Sequence, residues 1–400
     1  HAARLGPRPR GDAGTIVELQ EARLRGRGGA AFPTWRKWQA VAEWARARAY
    51  VVVNGAEAEP SSWKDRVLLA ARPHLVLDGA ALAAEAVGAS EVVVYVNRTA
   101  REAQAALESA VAERRSVRAD SIPFRLVGAP ARYVAGEESA AVRFINAGEA
   151  KPTFTPPRPY ERGVKGAPTL VQNVETLALA ALVARFGGRW LQGVGTGAAP
   201  GPMLLTIAGA VGHPGVYEVA QGTSLARAVE LAGGDPNRAP AILLGGYFGN
   251  WIPGWQAASL PLEQDALAAA GLRLGCGAIF VLPEGACGLT ETARIVNYLA
   301  GESARQCGPC LRGLATLAQT ISAIATGRAA RDQLPALEHW AAQLAHGRGA
   351  CKHPDGAVAL LQNALQVFSE DVTLHLRHGA CSGSRLHSGF PLAPGQEGWR

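Results

Sequence analysis

The chain is predicted to be an α/β protein with a parallel sheet, followed by a smaller β-rich unit and a C-terminal helical bundle. Three observations predict this. Continuous apolar runs alternate with helical patterns from Tyr50 to about Gly136. A hairpin pattern then appears after a proline-rich stretch. Beyond Leu289, apolar residues recur at three- and four-residue steps.

Tyr50 to Val53 is an unbroken apolar run, as expected of a strand buried on both faces. Asp65 to Val87 follows as a helical pattern, and Glu91 to Val96 is a second such strand. Thr99 is expected to cap an amphipathic helix reaching about Arg115. Phe124 to Val127 is a third short strand, and Gly136 opens another helix. Lys151 to Pro168 carries Pro152, Pro156, Pro157, Pro159 and Pro168, a density that opposes helix and sheet and predicts an extended loop. A second unit begins near Pro202. Its first hairpin is Leu204 to Ala208 with Gly215 to Val219, turning at Gly212-His213-Pro214-Gly215. Thr223 is expected to cap a short helix to Leu231, Ala241 to Leu244 is a strand, and Gly277 to Leu282 closes the unit. Leu289 to Leu299, Leu311 to Thr326, Asp332 to Leu344 and Ala357 to Leu376 read as helices.

With 400 residues, of which 48% are hydrophobic and 6% aromatic, the chain has apolar area for two or three aliphatic cores. The net charge of +7 is scattered rather than gathered on one helix, which argues against nucleic acid and for either a solvated surface or docking of an acidic electron carrier. No apolar run approaches the roughly 18 residues of a membrane span, so no direct membrane insertion is expected. His1 is not an initiator residue, so the start is expected to be processed. No export signal is visible and the six cysteines include the close pair Cys307 and Cys310, which favours metal or redox use in a reducing, cytoplasmic setting over disulfides.

Candidate site residues follow from small residues placed beside fixed polar groups. The turn Gly26, Arg27, Gly28, Gly29 precedes a segment with helical potential, where free amides bind an anion. Lys37 lies within reach of that turn and pairs with a phosphate, or else is a surface lysine. Asn54 ends a strand, and Glu57 and Glu59 follow it; carboxylates there accept ribose hydroxyls and repel a 2′-phosphate, or else are solvated acids beside a turn-forming Asn. Glu137 and Glu138 after Gly136 either face a ligand or complement a helix dipole, and Asn173 either does the same or bonds a turn. Cys307-Gly308-Pro309-Cys310 with Cys351 suits iron–sulfur, zinc (with His353) or a thiol pair. Cys276 and Cys287 flank an apolar strand and read as small buried hydrophobes. No nucleophile elbow for a Ser–His–Asp triad is present.

Taken in order, LRGRGGAAFPTWRKW (Leu24 to Trp38), VVVNGAEAEPSSWKDR (Val51 to Arg66), YVAGEESAA (Tyr133 to Ala141) and PTLVQNVETL (Pro168 to Leu177) resemble the 51-kDa-type FMN- and NADH-binding flavoprotein subunit of NADH dehydrogenases (respiratory complex I). The resemblance covers nearly the whole chain. It implies a Rossmann-like FMN-binding domain over residues 1–195, a β-grasp (SLBB-like) domain over 196–285 and a helical iron–sulfur-binding domain over 286–400. It also implies FMN as cofactor, NAD(H) as substrate and electron transfer to other redox subunits or a ferredoxin-like carrier. Glu302-Ser303-Ala304-Arg305-Gln306-Cys307-Gly308-Pro309-Cys310 resembles the family's cluster block, with Cys351 as the distal ligand of a [4Fe–4S] cluster. Ala304 stands where the family has its first Cys, leaving three thiolates and three outcomes: a cubane completed by His353, Cys381 or solvent, a three-iron cluster, or an empty site with Cys307 and Cys310 as a thiol pair. Ala56 and Gln172 stand where the family has Asp and Asn, Ala31 replaces a glycine of the turn, and Ala40 replaces an aromatic. Thr155 and Arg158 stand where a Lys and a Phe contact the dinucleotide, so Arg158 is expected to stack instead. These changes leave open a second reading: a repurposed homologue that has lost its NADH site and serves as an electron relay or scaffold.

Overall fold

The computed structural model describes residues 2–45, 48–386 and 388–389, so His1 lies outside it. Strands β1 (Ala49–Gly55), β2 (Ala89–Asn97), β3 (Phe124–Ala129) and β4 (Thr169–Asn173) form a sheet of order β3-β2-β1-β4, parallel throughout. The apolar runs exist because both faces are covered. Val51, Val53, Val92 and Val94 pack with Leu19, Trp38, Leu77 and Leu177 on one side, while Tyr50, Val52, Val93 and Tyr95 pack with Ala141 and Val142 on the other. Gly79 allows helix Pro73–Ala86 to lie directly on helix Val174–Phe186, since a Cβ there would sit 1.9 Å from the Leu177 carbonyl oxygen.

The sheet contains a reversal. The chain runs outward from β1 through β2 to β3, then returns to place β4 on the other side of β1. Helices diverge at such a reversal and leave a crevice beyond the carboxyl ends of the two strands. Here those strands are β1 and β4.

A second sheet has order β6-β5-β9-β7-β8, from β5 (Pro202–Gly209), β6 (Gly215–Ala220), β7 (Ala241–Leu244), β8 (Asn250–Pro253) and β9 (Ala278–Val281). The expected closing strand β9 is central, parallel to β5 and antiparallel to β7. The C-terminal helices are Gly288–Gly301, Leu314–Ala325, Gln333–Leu344, His353–Val367 and Ser369–His378, joined at one point by the π-helical turn Pro309–Gly313.

Several local expectations are corrected. The pattern from Asp65 to Val87 is two helices, Lys64–Ala71 and Pro73–Ala86, bent by 97°, because Pro73 cannot continue a helix and opens the next one. Thr99 does not cap Arg101–Ser116; its hydroxyl donates to Asn97 Oδ1 at 2.9 Å, and Ala100 holds the cap position. Ser224, not Thr223, caps Leu225–Leu231, accepting the Arg227 amide at 3.1 Å. The last helical pattern breaks at Phe368. No single described helix is long and apolar enough to cross a membrane.

Candidate functional site

Asn54 and Asn173 end β1 and β4 as register partners, side by side at the crevice. Asn54 Nδ2 donates to the Gly136 carbonyl at 2.8 Å, drawing the turn Tyr133–Gly136 onto β1. Asn173 Oδ1 accepts the Glu175 and Thr176 amides at 3.0 and 3.4 Å, capping Val174–Phe186, while Nδ2 donates to Asp65 Oδ2 at 2.6 Å.

The glycine turn lies against the same asparagine. Its neck is closed by the Arg25–Pro33 bridge and by the Gly26 amide donating to the Phe32 carbonyl at 2.9 Å. A Cβ on Gly28 would stand 3.4 Å from that of Asn173. Gly29 has φ +107°, which only glycine adopts without strain, and Ala31 has φ +48°. The backbone N–H groups of Gly28, Gly29, Ala30 and Ala31 donate to no protein acceptor among the described residues. Helix Thr34–Trp44 follows and carries Lys37, whose ammonium pairs with Glu138 at 2.9 Å. Glycine turn, β1 loop and the Gly136–Glu138 segment therefore converge, as the sequence order requires. The donor set suits a phosphate with a heterocycle: four open amides, an ammonium and two strand-end asparagines.

Not every expected residue faces this space. The Arg27 amide donates to Thr176 Oγ1 at 2.8 Å, and its guanidinium turns into the second sheet, donating to Gln221 Oε1 at 3.1 Å and the Pro202 carbonyl at 3.0 Å. Burial pulls that guanidinium down, with Glu175 opposing. Glu57 accepts the Asp65 and Arg66 amides, each at 2.8 Å, at the start of Lys64–Ala71. Glu59 accepts from Ser61 Oγ at 2.6 Å, Tyr133 Oη at 2.9 Å and the Tyr247 amide at 2.9 Å; burial pushes its carboxyl above the usual range. Glu137 caps Glu138–Ala147 through the Ser139 and Ala140 amides at 3.0 and 3.1 Å.

Sequence reasoning passed over a buried ionic group behind the turn. Lys64 pairs with Asp65 at 2.7 Å and Glu175 at 2.9 Å, and Arg27 lies 3.7 Å from Glu175. Burial works against the Lys64 ammonium, yet Asp65 and Glu175 hold its proton well above the usual range. The available signal was Lys64-Asp65-Arg66 directly after the acidic loop. Between this group, the turn and Gly275–Gly277 the hollow is about 30 Å³, room for little more than water. A ligand therefore meets the turn from its open side.

The cysteine loop is adjacent. Cys307, Cys310 and Cys351 lie within electrostatic reach of one another. Burial pushes Cys310 up to about 11 and Cys351 up to about 12, so a metal must displace their protons. Ala304, 8% exposed, stands three residues before Cys307 in the same loop. Glu302 accepts the Tyr133 amide at 2.8 Å and ion-pairs with Arg132 at 3.2 Å, and Gln306 donates to the Pro152 carbonyl at 2.7 Å. Three thiols and an alanine methyl suit an iron–sulfur cluster with one position unfilled by cysteine. Two expected replacements are engaged elsewhere. His353 Nε2 bonds the Leu299 carbonyl at 2.8 Å, and burial pulls its ring down to about 4. Cys381 lies beside Cys287 and His375 instead, and Cys287 is buried in an apolar core cluster as expected.

Comparison with known proteins agrees with this geometry. The family model described as the Nuo51 FMN-binding domain matches residues 19–181, an SLBB domain matches 204–245, and the NADH-ubiquinone oxidoreductase-F iron-sulfur binding region matches 290–375. The second F subunit of NADH-quinone oxidoreductase in Rhizobium meliloti is 33% identical over 380 residues, covering 92% of this chain and 90% of that one. The F subunit of NADH-quinone oxidoreductase in Mycobacterium tuberculosis (strain H37Rv) is 30% identical over 388 residues, covering 92% and 85%. A crystal structure of NAD+-reducing [NiFe]-hydrogenase in the H2-reduced state superposes with a TM-score of 0.82 at 29% identity; the match covers 92% of this chain and 63% of that one. The chain belongs to the F-subunit family of NADH-quinone oxidoreductases, the 51-kDa flavoproteins.

Proposed function

We propose that this chain is the electron-input subunit of a larger redox assembly, taking electrons from NAD(P)H at FMN and delivering them to an iron–sulfur centre or a ferredoxin-like partner. One observation carries the reading. The segment Tyr133 to Glu138 is bonded to Asn54 and Lys37 on one side and to Glu302 of the cysteine loop on the other, and the charge of Glu137 reaches Cys351. Flavin site and cluster site thus share one short piece of backbone.

In this reading the amides of Gly28 to Ala31 and the Lys37 ammonium hold the phosphate, while Asn54, Gly136 and Asn173 border the ring. Glu138, which pairs with Lys37, would orient the nicotinamide sugar. Bound FMN supplies the conversion of a two-electron donor into single electrons. Cys307, Cys310 and Cys351 hold the cluster. The hollow of about 380 Å³ under the proline loop, lined by Arg143, Thr153 and Arg162 among others, offers space and positive charge for the rest of the dinucleotide. We assign the flavin, β-grasp and cluster functions to residues 1–195, 196–285 and 286–400, and place the protein in the cytoplasm with partner subunits.

The second reading, a relay or scaffold without NADH oxidation, is favoured by the engagement of Glu57 and Glu59 with protein donors and by Thr155 and Arg158 in the proline loop. The purified protein separates the two. About one FMN per chain, bleached by anaerobic NADH, is the expected result. A yellow protein indifferent to NADH and NADPH supports the second reading, and absence of flavin overturns both electron-transfer roles.

A further inference from the structure

Away from the cysteine loop, Cys287, His375 and Cys381 form a separate cluster whose ligating atoms all lie within 4.8 Å of one another. It lies where the C-terminal bundle begins and ends. Cys287 caps Gly288–Gly301, His375 is in the last turn of Ser369–His378, and Cys381 precedes the turn Ser382–Arg385. Nothing in the flavin or cluster reading uses these residues.

We propose that Cys287, His375 and Cys381 bind a zinc-class divalent ion, with a hydroxyl, from Ser384 or water, as the fourth ligand. The spacing fits. Bonds of about 2.3 Å to sulfur and 2.0–2.1 Å to nitrogen at the tetrahedral angle set sulfur and nitrogen about 3.6 Å apart. Cys287 Sγ and His375 Nε2 are 3.7 Å apart. The tautomer fits as well. His375 Nε2 accepts the Cys381 amide at 3.2 Å, so its one lone pair points toward the cysteines and the ring proton sits on Nδ1; an ion would take that lone pair in place of the amide. Ser384 Oγ is 3.5 Å from Cys381 Sγ and accepts from Thr290 Oγ1 at 3.0 Å, which holds a hydroxyl at the open corner.

Burial supplies the second argument. His375 is 1% and Cys287 4% exposed, and His375 Nδ1 finds no partner among the described residues. Two cysteines and a histidine gathered at one point, with Cys287 and His375 buried and Cys381 partly exposed, form a donor set suited to such an ion. The ion would join the first helix of the bundle to the last, closing a long loop whose ends are costly to bring together.

The test uses the full chain expressed with zinc and iron both supplied. Zinc and iron are counted per chain by plasma mass spectrometry, and the zinc environment is read by X-ray absorption. The expected result is about one zinc bound by two sulfurs near 2.3 Å and at least one nitrogen near 2.0 Å. Cys381→Ser and His375→Ala remove the zinc and leave the iron, whereas Cys307→Ser removes iron and leaves the zinc. Substoichiometric zinc in folded wild type, a zinc shell without sulfur, loss of zinc with Cys307→Ser, or a Cys287–Cys381 disulfide in the unreduced intact mass overturns the site. Because the wild-type absorption spectrum decides by itself, a variant that fails to fold does not rescue the proposal.

Discussion

Ala304 shows how one side chain sets a cofactor's composition. It stands in the cysteine loop at the position where the family has its first cluster cysteine, three residues before Cys307. Ala304→Cys is expected to complete a four-thiolate site and raise iron toward about four per chain, measured by iron and sulfide assay; unchanged iron would argue against the position. Asp65 gives a pH signature. Burial pushes its carboxyl from its ordinary 3.8 up to about 6, with Lys64 opposing and Glu57 adding. Between those values the folded chain keeps a proton that the unfolded chain has released, so this group's contribution to stability falls as pH rises through the window. Asp65→Asn is expected to flatten that slope in thermal unfolding between about pH 4 and 7. At this scale the order of Gly28, Lys37, Asn54 and Asn173 was legible, because local turn and strand-end chemistry places them. The partners of Glu59 were not, since Tyr133 and Tyr247 come near only through tertiary folding.

The elements were read best where burial imposed a strict pattern. β1 and β2 stood out because helices cover both faces, whereas β4 was missed: five residues, one of them Gln172, follow a proline loop and give no period. The break at Pro73 was written in the sequence, but the apolar pattern on either side concealed it. β4 matters because it ends on Asn173, which caps one helix and anchors another through Asp65. Asn173→Ala therefore loses a cap and takes the amide donor from one oxygen of the buried Asp65 carboxylate, whose other oxygen keeps Lys64. It is expected to lower stability by about 1–3 kcal/mol in denaturant unfolding and to reduce retained FMN. Full stability with full flavin would show that the asparagine serves neither role.

Across the whole molecule, Glu59 ties the β1 loop to Tyr133 beside the cysteine loop and to Tyr247 after β7. The β1 loop, the Tyr133 turn and the segment after β7 thus meet at one buried carboxylate, and Glu302 accepts the Tyr133 amide, so the crevice and the cysteine loop are held at a fixed separation. The succession of α/β, β-rich and helical regions was visible in periodicity, while their mutual docking was not, because docking depends on such long-range contacts. Fixed separation is what electron transfer through the Tyr133–Glu138 segment demands. The most direct measurement is an anaerobic NADH titration of the purified chain, followed at the flavin absorbance and, in frozen samples, by electron paramagnetic resonance. Bleaching of the flavin accompanied by a reduced iron–sulfur signal is predicted; bleaching while the cluster stays oxidised, with a cluster that dithionite can reduce, would contradict the account.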